Sequence, residues 1–73
     1  MPQERVECPI PGKIISVSVS QGSVVKEGDE LCLLESMKME NPILAPVGGT
    51  VTGIDLARGQ AVEAGYLLAI IEY

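Results

Sequence analysis

Short apolar, β-branched stretches alternate with polar, glycine-marked turns along the whole chain. Lys13 to Ser20 reads as a strand, Gln21-Gly22 as a turn, Val24-Val25 as a short strand, Lys26 to Asp29 as a second turn and Glu30 to Glu35 as another apolar strand. The same succession runs again from Thr50 to Glu72. A first strand is expected around Val6 to Ile10 and a last one around Leu67 to Glu72. No segment of 10 residues between the Gly and Pro positions shows a 3.6-residue period, so no helix is predicted.

The recurrence is a repeat at residue level. Cys8 to Glu35 lies on Ala45 to Glu72 at an offset of 37 without a gap, and seven of the 28 pairs are identical: Pro9/Pro46, Gly12/Gly49, Gly22/Gly59, Val25/Val62, Gly28/Gly65, Leu31/Leu68 and Glu35/Glu72. Others keep apolar character, and Ile10/Val47, Ile14/Val51, Val17/Ile54, Val19/Leu56, Leu33/Ile70 and Leu34/Ile71 are expected in or around the core. In Leu31 to Leu34 and Leu68 to Ile71 both faces are apolar, so the sequence does not fix which alternate residues point inward. A half that cannot cover its own apolar face must pack on its copy. The fold class predicted is all-β: one domain over residues 1–73, a flattened barrel or sandwich of two small antiparallel sheets with pseudo-two-fold symmetry.

Composition narrows this further. The chain is 47% hydrophobic but has no Phe or Trp, and Tyr66 and Tyr73 are its only aromatics, so the core is aliphatic. A 73-residue domain has no room for a deep substrate cleft. Ten acidic against five basic residues give a net charge of −5, with no Lys/Arg cluster, which argues against nucleic acid and anionic membranes as partners. The longest apolar runs, such as Leu67 to Ile71, are far below the roughly 20 residues that span a bilayer. Met1 to Arg5 is polar and unlike a secretory leader, so a cytoplasmic location is expected, or an organellar one if the chain belongs to a longer targeted protein. Cys8 and Cys32 stand 24 positions apart, and no His is present to complete a metal site; two buried thiols are expected, with a disulfide as the alternative in an oxidising compartment. There is no His base, no nucleophile set and no phosphate-cradling glycine loop, so the domain is not expected to be an enzyme. Glu27, Asp29 and Glu30 read as a solvated turn.

Residues 36–44 join the two copies, and the joint reads Glu35-Ser36-Met37-Lys38-Met39-Glu40-Asn41-Pro42. Under the offset, Lys38 maps onto the join of the chain ends, which puts it on a hairpin at the end of the molecule opposite both termini. Two methionines around a lysine replace the Asn, Asp or Gly of an ordinary tight turn. Pro42 has no amide N–H, so its strand must be at a sheet edge or open there.

This joint resembles the attachment site of the biotinyl domain family, the biotin carboxyl carriers of biotin-dependent carboxylases, decarboxylases and transcarboxylases. The resemblance covers nearly the whole chain and centres on Met37-Lys38-Met39 preceded by Glu35, with Gly22 upstream and Pro46 and Gly49 downstream. It implies that Lys38 is the residue biotinylated by a biotin protein ligase, with Met37 and Met39 as flanking recognition residues and Glu35 and Ser36 as hairpin context. It implies a biotin carboxylase and a carboxyltransferase as the partners between which the carboxyl group travels. A solvated lysine ammonium is not a nucleophile, so the activated acyl donor and the base must come from the ligase. Lipoyl domains of 2-oxo acid dehydrogenase-type complexes look similar and are the alternative; they share the upstream Gly and the Glu, but their lysine usually follows Asp and precedes a small residue. Ser36 stands where biotinyl domains more often have Ala. The ungapped repeat leaves no space for the extra thumb segment of some acetyl-CoA carboxylase carriers, and no Ala/Pro-rich linker precedes the domain, which suits either a free-standing carrier or a piece of a longer chain.

Overall fold

The computed structural model describes residues 2–73 and contains eight strands: β1 (Gln3–Glu7), β2 (Gly12–Val17), β3 (Val24–Val25), β4 (Glu30–Ser36), β5 (Met39–Leu44), β6 (Gly49–Ile54), β7 (Ala61–Val62) and β8 (Leu67–Glu72). They form two antiparallel four-stranded sheets, ordered β1-β8-β6-β3 and β5-β4-β2-β7. Each sheet takes two strands from each half of the chain, so the halves interlock instead of forming one sheet apiece. The exchange β1/β5, β2/β6, β3/β7, β4/β8 maps one sheet onto the other.

That two-fold holds down to single residues. The buried core is Val6, Cys8, Ile14, Val25, Leu31, Cys32 and Leu34 together with Ile43, Ala45, Val51, Val62, Leu68, Ala69 and Ile71. At the offset of 37 these are seven complete pairs. The irregularities pair as well: the bulge between Ile14 and Ser16 in β2 matches that between Val51 and Gly53 in β6, and the shift at Glu30/Cys32 falls where Leu67/Ala69 lies in β8. The bulge after Glu30 resolves the parity the sequence left open, because one extra residue lets Leu31 and Cys32 both turn inward, followed by Leu34.

Close approach explains one pair of glycines. A Cβ on Gly12 would run into the carbonyl oxygen of Glu35, and one on Gly49 into that of Glu72, so only glycine lets β2 lie against β4, and β6 against β8, at these points. Gly22 and Gly59 serve the turns instead, at φ 94° and 89°, each donating its amide across to the other half, to Val51 and Ile14 at 2.7 Å.

Three expectations are corrected. The first strand is Gln3–Glu7 and not Val6 to Ile10: Pro9 and Pro11 cannot donate to a ladder, and β1 pairs with β8 upstream of them. The second strand ends at Val17 and not Ser20, since the Ser20 amide turns to the Ser23 hydroxyl at 3.0 Å. Ile10 is 38% exposed, although its mate Val47 packs on the core, and Leu33 and Ile70 are only half-buried on the outer sides of their sheets. The remaining pairs expected around the core are there. Cys8 and Cys32 are buried free thiols, and Pro42 lies on β5, an edge strand. The chain ends run side by side, with β1 paired to β8 and the Tyr73 amide donating to the Pro2 carbonyl at 3.0 Å.

Candidate functional site

Strands β4 and β5 pair continuously through Leu34↔Asn41, Glu35↔Glu40 and Ser36↔Met39, leaving Met37 and Lys38 as a two-residue loop. Both loop residues have positive φ, 54° and 65°, and among the described residues they are the only non-glycines that do. This is the signature of a type I′ turn, whose twist matches the flanking strands and which Asn-Gly normally supplies. A left-handed residue with a Cβ costs roughly 1–2 kcal/mol, so the hairpin holds Met37 and Lys38 where neither side chain favours the backbone. Pairing in the strands below enforces that geometry.

The loop is anchored from one side. The Ser36 hydroxyl donates to the Pro11 carbonyl at 2.8 Å, tying the hairpin to the β1–β2 connection. Alanine at this position could not make this bond. The Asn41 side-chain amide reaches the Met39 carbonyl at 3.3 Å. Gly12 admits β2 against the Glu35 carbonyl immediately below, so the hairpin base is held by close backbone packing as well.

At the apex everything faces water. Met37 is 91% exposed and Met39 65%, and Lys38, Glu35 and Glu40 are exposed too. Lys38 makes no ion pair among the described residues, where the sole pair is Arg5 with Glu7 at 3.7 Å. An amine at an exposed tip between two exposed thioethers, with no ion-pair partner among the described residues, is open to another protein. The structure thus brings Glu35, Ser36, Met37, Lys38 and Met39 together as one hairpin; the sequence did not reveal the left-handed backbone at its tip or the Ser36 anchor.

The chain as a whole is similar to known proteins. The family model described as "Biotin-requiring enzyme" matches residues 4–71. A biotinylated protein, the TB7.3 homolog of Mycobacterium leprae, is 44% identical over 68 residues, covering 93% of this chain and 96% of that protein. A biotin carboxyl carrier protein of Streptococcus mutans is 49% identical over 57 residues, covering 78% of this chain but 44% of the relative. Among solved structures, the urea carboxylase of Kluyveromyces lactis contains a region that superposes with a TM-score of 0.90 and 30% identity, over 99% of this chain and 6% of that enzyme. The chain therefore spans nearly all of the first relative and a small part of the large carboxylase.

Proposed function

We propose that this chain, which belongs to the biotin-requiring enzyme family, carries its biotin on Lys38 and presents it to the active sites of a biotin-dependent carboxylase or decarboxylase. The domain is a carrier module and not a catalyst, and biotin is its covalent cofactor. When bound, biotin supplies the ring nitrogen that takes up and gives back a carboxyl group. The protein's part is position: a rigid two-sheet body ending in a hairpin that offers one amine.

The observation that carries the assignment to Lys38 is its place at the exposed, backbone-strained tip between Met37 and Met39. Lys13 lies within β2 and Lys26 in the turn before β4, so neither shares that setting. A biotin protein ligase is the modifying partner this geometry suits, reading the thioether pair and the Glu35 and Ser36 strand end. Amide formation removes one positive charge and takes the net value from −5 to −6. Residues 1–73 act as one carrier domain, and a biotin carboxylase and a carboxyltransferase are the stations it serves, in the cytoplasm or in an organelle. The relatives' names give no support to a lipoyl arm in place of biotin.

Intact mass after co-expression with a biotin ligase, followed by peptide mapping, tests this. One biotinyl group on the peptide containing Lys38 is the expected result. A lipoyl increment, no increment, or biotin on Lys13 or Lys26 would overturn it.

A further inference from the structure

Beside the hairpin base, on the outer side of the second sheet, a hollow of about 240 Å³ opens between β2, β4 and the turn before β7. Its lining is Lys13, Ile14, Ile15, Glu35, Arg58 and Gly59. Lys13 and Glu35 are directly opposed in register, both exposed, yet they form no ion pair. Arg58 is also unpaired among the described residues. Two cations and a carboxylate thus surround the hollow with their hydrogen-bonding capacity unused.

The molecule's own two-fold provides the control. At the offset of 37, Thr50 stands in for Lys13, Gln21 for Arg58 and Thr52 for Ile15, while Glu72 stands in for Glu35. The first sheet forms the matching row, Glu72 against Thr50, without those cations. The fold does not need Lys13 or Arg58, and they occur only at the end that carries Lys38.

We propose that this hollow is a resting site for the head group of the biotin attached to Lys38, an inference that rests on Lys38 being the attachment residue. The head group is a cyclic urea fused to a sulfur-containing ring. Its N–H groups suit the Glu35 carboxylate, its carbonyl oxygen suits the Lys13 ammonium and Arg58 guanidinium, and its apolar ring suits Ile15. Reach is sufficient: Glu35 is three residues from Lys38, at most about 10 Å of extended chain, and the lysine side chain continued by the valeryl arm of biotin spans that. Docked there, the ring is shielded between visits to partner active sites and is released when a partner competes for it.

The test compares amide and methyl NMR spectra of the ¹⁵N,¹³C-labelled chain before and after enzymatic biotinylation, with loading at Lys38 verified by mass. The expected result is shifted amides at Lys13, Ile15, Arg58 and Gly59 in addition to the hairpin, with nuclear Overhauser contacts from the sulfur ring to the Ile15 methyls. In a Lys13→Thr, Arg58→Gln variant, which installs residues the other half already folds with, the remote shifts and contacts are lost while the hairpin shifts remain. With Lys38 loaded, shifts confined to residues 36–40, absence of the Ile15 contacts, or remote effects unchanged in the variant would overturn the resting site and leave the carrier reading standing. Loading at another lysine, or none, would overturn both.

Discussion

On the proposed reading a single lysine carries the function, and its removal should separate function from folding. Lys38→Ala and Lys38→Arg are both expected to abolish biotinylation, because Lys13 and Lys26 lie outside the hairpin. Both variants should keep the wild-type circular dichroism spectrum, since the side chain is exposed and makes no ion pair. Streptavidin-reactive protein from either one, co-expressed with a ligase, would contradict this. A second residue is expected to lower stability at alkaline pH. Burial pushes the Cys32 thiol up from 9.0 to about 11, with lesser contributions from Cys8 and Glu30. The thiol therefore stays protonated in the folded chain where the unfolded chain has already lost the proton. Between pH 9 and 11 unfolding releases a proton, so stability present below pH 9 is lost as pH rises through that window, by at most about 3 kcal/mol. Urea midpoints measured from pH 8 to pH 10.5 should fall in the wild type and fall less in Cys32→Ala, a substitution whose two-fold mate, Ala69, already occupies the matching core position. Equal slopes in the two proteins would remove Cys32 as the cause. The burial of both cysteines was legible from the absence of any ligand partner or motif spacing. The alkaline sensitivity was not, because it depends on where two distant segments meet.

At the level of elements, the β4–β5 hairpin gives up stability at its tip. Met37 and Lys38 hold positive φ with side chains that disfavour it, so Met37→Asn should stabilise the protein by up to about 1 kcal/mol in urea unfolding. The same change removes a thioether from the tip and should slow biotinylation; a variant that is more stable and loaded at the wild-type rate would show that Met37 serves no recognition role. The flanks are also expected to set which cofactor is attached. Met37→Asp with Met39→Ala should lower biotin uptake and allow or raise lipoylation by a lipoate ligase, and unchanged biotinylation rates would show the discriminator lies elsewhere. The sequence announced this hairpin through its residue types, Met-Lys-Met in the joint between the two copies, and placed the edge strand correctly through Pro42. Strand ends were less legible. Val6 to Ile10 carries apolar residues but also Pro9, and the ladder of β1 stops at Glu7 before it. Inward parity in Leu31 to Leu34 was hidden because a bulge, set by pairing with β5, decides it.

For the whole molecule, the offset of 37 predicted the architecture more fully than any local pattern, since seven core pairs, two sets of bulges and four positive-φ glycines obey it. What it did not disclose is that the halves interlock. Every sheet contains strands of both halves, so neither half can complete a sheet or bury its apolar face alone. Chain order should then matter less than the presence of all eight strands. The ends already lie on paired strands, Gln3 opposite Glu72, with Tyr73 bonded to Pro2, and the hairpin at Met37-Lys38 is the two-fold counterpart of that open join. Linking the ends with a short Gly/Ser segment and opening the chain between Met37 and Lys38 exchanges one for the other. That permutant is expected to fold to the same two sheets, because the new termini fall in an exposed loop and every strand remains. It should not be biotinylated, since Lys38 becomes a mobile terminus without its enforced left-handed backbone. A control permutant opened within β4, between Leu33 and Leu34, breaks a central strand of the second sheet and is expected to remain unfolded. Amide spectra and urea unfolding of the two permutants decide the matter: failure of the hairpin permutant to fold would show that the continuous β4–β5 hairpin, and not the two-fold arrangement of strands, specifies the structure.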